Sequence, residues 1–339
     1  MMVLIFLPRC CDGGKWPPLH KMAGAEGEKS SLLRDSQSSL DEHLWSLHDR
    51  RLAIVIPFTR MEVVGLKQAI ASWMDLGPLC SRPLFGVPKE IKVDLVFWFH
   101  RDLATNNQSL VEELKRAVEV TLASAGPQCF TGIKFLSARL TASEDSYPGG
   151  PSAMWYKLLL DQVPGFTGHY DYFFWMEPDV RPIRPLWVDK LYLEVSGGVE
   201  FFLKGSIFRG GRFDGRTDSA SVRPWLGHIN GNALYRLGSP VFNALVRQTR
   251  KQFPPTSSRN SFDTAIWQVL HDYSTRWSEY QAIAHLVHYS DFIQNVDART
   301  LLESLRLAHP QTFFIHGGKT TSAIVSKYLR LFERRKNDY

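Results

Sequence analysis

The sequence predicts an α/β domain built on a mixed, mainly parallel sheet flanked by helices. Three observations lead there. Several apolar runs, Leu52–Ile56 and Leu95–Phe99 among them, lack the polar alternation of a half-solvated strand and read as strands covered on both faces. These runs alternate with helical stretches in a βαβαβ order, which calls for a parallel sheet with right-handed crossovers. Three later apolar runs end in compact polar clusters, where chemistry can be placed.

Taken in order, Arg51–Arg60 is the first strand. A helix follows, with Val64, Ala69, Ile70 and Trp73 on roughly one side. Ile91–His100 is the second strand. Ser109 and Glu112 fit a capping box, and Leu110, Leu114, Val118 and Leu122 mark one face of the helix behind it. Gly132–Leu136 is a third strand. A Gly- and Pro-containing stretch, 143–152, leads to a helix over 153–162. The aromatic run Tyr172–Met176 is the next strand, and Pro178, which cannot donate to a ladder, stops it. Pro185 suits the first turn of a helix continuing through Leu186 to Tyr192. A strand over 199–208 then runs into 209–216, whose glycines and arginines read as a mobile loop able to close over an anion. That loop lacks the Gly-Lys-Ser/Thr ending of a nucleoside-triphosphatase.

The chain has 339 residues, 44% of them hydrophobic, enough for a sizeable core. A net charge of +6 favours anionic ligands without identifying them. There is no arginine-rich tract and no zinc-finger spacing to support nucleic-acid binding. The four cysteines, Cys10, Cys11, Cys80 and Cys129, form no C-x-x-C pair and argue against structural zinc. A Cys80–Cys129 disulfide and two buried thiols are equally compatible with the sequence. Residues 1–50 mix Gly, Ser, Pro and charge and read as a flexible leader, with a short helix over 40–47. The rest, 51–339, reads as one catalytic domain. Met1–Pro8 is apolar but too short to span a bilayer, and it lacks the charged leader and cleavage site of a signal peptide. Asn107-Gln108-Ser109 is a glycosylation sequon, usable only in a secretory lumen.

The polar clusters carry the functional signal. Glu177 and Asp179 sit where a buried strand leaves the core, and burying such charges without a partner is costly. A divalent cation resolves that cost, because hard cations take oxygen ligands. His228, Asn230 and Asn232 alternate and share one side if the segment is extended, and Gly231 allows close approach. This amide and imidazole set suits a sugar and suits a polar hairpin equally well. Asp263 stands in the first turn of a helix, a position that also suits capping. The run Phe313-Phe-Ile-His316-Gly-Gly-Lys319 offers an imidazole for Mn2+, glycine amides for phosphate oxygens and a lysine for charge.

Glu177-Pro178-Asp179 resembles the acidic Asp-x-Asp metal motif of GT-A glycosyltransferases, in the Glu-Pro form found in fungal α-mannosyltransferases. The resemblance implies a Rossmann-related GT-A-like fold and a nucleotide-diphosphate sugar donor. It further implies Mn2+ or Mg2+ held by Glu177, Asp179 or both, and a glycan or protein hydroxyl as acceptor. The Val55-Ile56-Pro57 opening is similar to that of many GT-A domains, which assigns Thr59 and Arg60 to the loop meeting the nucleotide. Lys157 is the matching basic group near the diphosphate. Gly231-Asn232 resembles a stretch contacting donor sugar and acceptor. Asp263 matches the acid near the acceptor, as base or positioning group. His316-Gly317-Gly318-Lys319 resembles the C-terminal His-x-Gly-x-x-Lys of glycogenin-like transferases, where His ligates metal and Lys the diphosphate. Here Lys319 follows His316 by three residues rather than five. The family resemblance points to a Golgi or ER lumen, with a cytoplasmic location as the alternative. Two other readings compete: a non-catalytic nucleotide-sugar or carbohydrate-binding domain, and a metal-dependent hydrolase. The transferase reading requires His316 to approach Glu177 and Asp179 in space.

Overall fold

Strand β1 (Arg51–Phe58) is buried along all but its first residue. Its side chains therefore divide between two cores. Leu52, Ile54 and Ile56 pack on one face, and Ala53 and Val55 on the other. This is the two-sided burial that an unbroken apolar strand demands.

The computed structural model describes residues 50–81, 92–103, 108–125, 129–146, 149–196, 199–207, 228–256, 261–270, 283–296 and 302–317. All of them belong to one compact unit, Trp45–Tyr339. The leader helix expected over 40–47, the loop 209–216, Asn107 and Lys319 lie outside the described residues.

After β1 come α1 (Val63–Ser72), β2 (Lys92–Phe99), α2 (Gln108–Ala125), β3 (Gly132–Ser137), α3 (Gly149–Leu160) and β4 (Tyr172–Trp175). Then follow β5 (Arg181–Pro182), α4 (Trp187–Ser196), β6 (Leu203–Gly205), β7 (Leu234–Arg236), α5 (Pro240–Gln252) and α6 (Phe262–Leu270). The last described elements are β8 (Val287–Tyr289), β9 (Ile293–Asn295), α7 (Leu302–Ala308) and β10 (Phe314–His316). Among the described residues, seven strands form a sheet in the order β3-β2-β1-β4-β7-β6-β8. The β3-β2-β1-β4 half is parallel throughout, while β7 runs antiparallel to both β4 and β6. The predicted mixed, mainly parallel sheet flanked by helices is what forms. Leu66 and Ile70 of α1, Leu114 and Val118 of α2 and Leu191 of α4 cover one face. Trp155 of α3, Phe242 of α5 and Phe262 of α6 cover the other. The strand order reverses between β1 and β4, so a crevice opens at their carboxyl ends, where doubly wound sheets place ligands.

Several boundaries differ from the sequence expectation. Helix α3 begins at Gly149 rather than Ala153, and its first turn runs against the Pro255 backbone. A Cβ at Gly149 would lie 2.3 Å from the Pro255 carbonyl oxygen, so only glycine permits this approach. Helix α2 takes in Gln108, so Ser109 lies inside the first turn instead of capping it. Helix α4 begins at Trp187, and Pro185 stays outside it, because Leu186 adopts a left-handed backbone (φ 58°). The strand expected over 199–208 is ordered as a ladder only over Leu203–Gly205, with an isolated Ile207–Ile229 bridge beyond.

Cys80 and Cys129 are joined as a disulfide and both are buried, which settles the alternative the spacing leaves open. It fastens the segment after α1 to the approach of β3. The half-cystines are 49 residues apart, and closing a loop of that size stabilises by about 2–4 kcal/mol. The Cys80→Ser/Cys129→Ser variant is therefore expected to lose about 2–4 kcal/mol of unfolding free energy in a urea titration, and an unchanged free energy would refute the bridge.

Candidate metal centre and its cleft

Strand β4 ends where Met176 donates its last ladder bond, to the Val55 carbonyl (2.9 Å). Pro178 has no N–H to continue the ladder, and the chain turns. The Val180 N–H closes the turn on the Glu177 carbonyl at 2.9 Å. Arg181 folds back on this turn and donates to the carbonyls of Pro178 and Val180. The exiting chain then forms β5, which pairs antiparallel with β10, Ile315 opposite Arg181. That register puts His316 beside the acidic turn. Its Nε2 lies 3.3 Å from Glu177 Oε2 and 3.4 Å from Asp179 Oδ1. Among the described residues, these three offer ligand atoms that all lie within 4.8 Å of one another. The two carboxylates are about a third exposed, at 32% and 34%, and the imidazole is less so, at 19%. The acids thus face outward with the imidazole behind them.

Two members of the trio, Glu177 and His316, are each held by a side-chain amide. Asn232 grips Glu177 twice: its Oδ1 accepts from the Glu177 N–H (2.9 Å), and its Nδ2 donates to Glu177 Oε2 (2.8 Å). Asn230 Oδ1 in turn accepts from Asn232 Nδ2 at 3.0 Å. The Asn230–Asn232 segment turns rather than running extended, and β7 starts only at Leu234. The turn is anchored by Asp263, whose Oδ2 accepts from the Gly231 N–H at 2.8 Å. Gly231 meets the Phe262 ring so closely that a Cβ there would lie 2.7 Å from Cζ. On the other side, Asn295 Oδ1 lies 2.9 Å from His316 Nδ1.

The electrostatics follow from this packing. Burial of His316 works against its cationic form, but hydrogen bonds to Asp179 and Glu177 outweigh it and push the pKa up to about 10. Burial also opposes the Asp179 carboxylate, yet the His316 hydrogen bond holds its pKa below the usual range. With no metal, a proton on His316 supplies the positive charge the two acids need. Two carboxylate oxygens and an imidazole nitrogen are a donor set that Mn2+ accepts, and Mg2+ accepts the oxygens. The residues present therefore fit a divalent cation.

The trio opens on a cleft of about 810 Å³. Pro57, Phe58 and Thr59 at the end of β1 form one wall, and Trp175, Glu177, Pro178, Asp179 and Arg181 the other. This is the crevice between β1 and β4. Asp145 lines it too, with one carboxylate oxygen on His100 Nδ1 (2.7 Å) and the other on Arg101 Nε (2.6 Å). Burial opposes the Asp145 carboxylate, but bonds from His100 and Arg101 hold its pKa down.

No protein-family model matches the sequence, and no curated protein matches it. Among solved structures, the chain is similar to mouse xyloside xylosyltransferase 1 in its apo form. Identity is 11% and the TM-score 0.41, over 80% of this chain and 98% of that one. It is also similar to the apo bifunctional glycosyltransferase WbbM. Identity there is 12% and the TM-score 0.45, over 80% of this chain and 46% of that one. Both likenesses are distant.

The other expected site residues fall as follows. Thr59 lines the cleft, but its N–H and hydroxyl both donate to Glu62 at 2.8 Å, so it shapes the turn leaving β1. Arg60 is exposed and outside the cleft wall. Lys157 pairs with Glu144 (3.1 Å) and donates to the Arg139 carbonyl (3.4 Å), also outside that wall. Asp263 is buried with both oxygens engaged: Oδ1 accepts from Ser261 and Thr264, and Oδ2 lies 3.5 Å from His228 besides accepting from Gly231. Sequence reasoning missed Asp145, Glu62 and Asn295. The signals available were an acid in the 143–152 loop, a Thr-x-x-Glu turn and an amide ending a strand, all common in ordinary proteins.

Two measurements follow. A histidine whose folded pKa is raised adds stability that is complete below its ordinary pKa and is lost as pH rises through the folded value. For metal-free protein the window runs from pH 6.5 to about 10. The urea midpoint of the wild type should fall across that window relative to His316→Gln, and parallel profiles would contradict the ion pair. Gly231→Ala should cost about 1–3 kcal/mol, because the added methyl must displace the Phe262 ring; a neutral result would show that ring is free to move.

Proposed function

We propose that this chain is a metal-dependent, GT-A-like glycosyltransferase that moves a sugar from a nucleotide-diphosphate sugar to a hydroxyl of a glycan or protein. The observation that carries this reading is the convergence of Glu177, Asp179 and His316 at a cleft of nucleotide-sugar size, at the sheet's topological switch point. Approach of His316 to the acidic pair is the feature that a merely sugar-binding copy of the fold has no need to keep.

In this reading Glu177 and Asp179 hold Mn2+ or Mg2+ with their outward carboxylate oxygens, and His316 does so through Nε2. When bound, the cation stabilises the charge that develops on the departing diphosphate. The β1 wall at Phe58 and Thr59 receives the nucleoside, with Glu62 fixing the turn and Asp145 forming the floor. Asn232 keeps Glu177 aimed at the cation. Asp263 acts through Gly231 and Asn232 as a positioning residue, since both its oxygens are already engaged. The Cys80–Cys129 bridge supports maturation in an oxidising compartment such as the ER or Golgi lumen. Among the described residues no helix is long and apolar enough to cross a membrane.

The test is a panel of UDP- and GDP-linked hexoses and pentoses, assayed for release of nucleoside diphosphate with and without Mn2+. At least one donor should turn over in a Mn2+-dependent way. Glu177→Gln and His316→Ala should each lower that rate about a hundredfold or more. Full activity in both variants, or release indifferent to chelator, would sink the proposal.

A further inference from the structure

We propose that Asn295 is a positioning residue that fixes the tautomer of His316, holding the imidazole proton on Nδ1 so that Nε2 offers its lone pair to a cation. The inference rests on the reading of Glu177, Asp179 and His316 as a metal site and deepens it.

The parallel β9–β10 register sets Asn295 directly beside His316. Asn295 is 1% exposed, so water cannot substitute for its partners. Its amide orientation is dictated by what surrounds it. Nδ2 lies 3.1 Å from both the carbonyl and the hydroxyl oxygen of Ser206, and 3.4 Å from the Ile207 carbonyl. Two of these three oxygens are backbone carbonyls, which only accept. The reverse orientation would set an amide oxygen against both. The nitrogen must therefore face Ser206 and Ile207, and Oδ1 must face His316 Nδ1, at 2.9 Å.

An oxygen that can only accept requires a hydrogen on the facing nitrogen. His316 Nδ1 is thus protonated for as long as this contact lasts, whether the ring is cationic or neutral. When a cation takes the place of the proton on the acid-facing side, the neutral ring has one tautomer available. Its Nε2 lone pair then points into the gap between Glu177 Oε2 (3.3 Å) and Asp179 Oδ1 (3.4 Å). The free neutral imidazole prefers the opposite tautomer, so the arrangement must be imposed by a neighbour. A metal-binding histidine is commonly oriented in this way through its other ring nitrogen. The amide is itself fixed from the far side of the site. The Ser206 carbonyl that takes Asn295 Nδ2 also accepts from the Asn230 N–H at 3.0 Å, within the turn that carries Asn232 and grips Glu177. One backbone carbonyl therefore ties the two supports of the trio together.

Mn2+ titration by calorimetry, without any donor, tests this on wild type, Asn295→Leu and Asn295→Asp. Asn295→Leu removes the acceptor and should weaken Mn2+ binding about 10- to 100-fold. Asn295→Asp keeps an acceptor for Nδ1–H while leaving the Ser206 and Ile207 carbonyls without their donor. It should melt at lower temperature yet bind Mn2+ at least as tightly as wild type. A merely structural asparagine would instead lose stability and affinity together in both variants, which would overturn the inference. So would a folded Asn295→Leu protein with wild-type affinity. A second measurement needs no variant. Long-range 1H–15N spectra of the histidine rings in wild type loaded with Zn2+, a diamagnetic ion that takes imidazole, should show His316 protonated at Nδ1 alone, and a neutral ring protonated at Nε2 instead would refute the proposal. Wild type that binds no Mn2+ would refute the metal-site reading itself, and this inference with it, whereas equal binding by wild type and Asn295→Leu refutes only the role of Asn295.

Discussion

Two carboxylates a turn apart at the end of a buried strand repel each other, and a positive charge between them relieves that cost. Glu177 and Asp179 are in that position, and the surrounding structure answers the requirement. Arg181 secures the turn through its carbonyls and adds a favourable charge near Asp179. The group that bridges both acids is His316, brought in by a three-stranded sheet, β5-β10-β9. Without a cation the imidazole is protonated and bridges both acids. On the proposed reading, the same imidazole serves as a ligand once a cation binds, so the site would already be assembled before the metal arrives.

The main sheet decides where this trio meets solvent. Because the strand order reverses between β1 and β4, among the described residues the crossovers leave their carboxyl ends open. The acidic turn follows β4 directly, so its carboxylates open into the resulting cleft. The two faces of β1 anchor two independent cores, and helices on both sides keep the β1 and β4 ends in fixed relation. The close approach at Gly149 and the tight contact of Gly231 with Phe262 show how little slack remains around the rear of the cleft.

Supports for the site are mostly neutral amides. Asn232 and Asn295 each donate and accept simultaneously, which a carboxylate cannot do, and each thereby fixes a partner's direction without adding charge. Asp263 belongs to the same scaffold, with its carboxylate turned inward on Gly231, Ser261, Thr264 and His228. A residue of catalytic type can thus serve the site from behind when its oxygens are already satisfied.

The alternation of apolar strands and helices, read from the sequence, is enough to give the parallel half of the sheet, since two-sided burial leaves its mark on every residue of a strand. Glu177, Asp179 and His316 are also legible there, because each ends an apolar run at a chain-breaking Pro or Gly. Tertiary structure alone decides that these residues meet, since the meeting depends on the pairing of two-residue β5 with β10, which no local pattern encodes. It also decides the duties of Thr59, Lys157 and Asp263, whose polar atoms are taken up by Glu62, Glu144 and the Gly231 turn. Asn295 stays invisible in the sequence for the same reason: an amide acquires a role only from the neighbours that fix which of its atoms must donate.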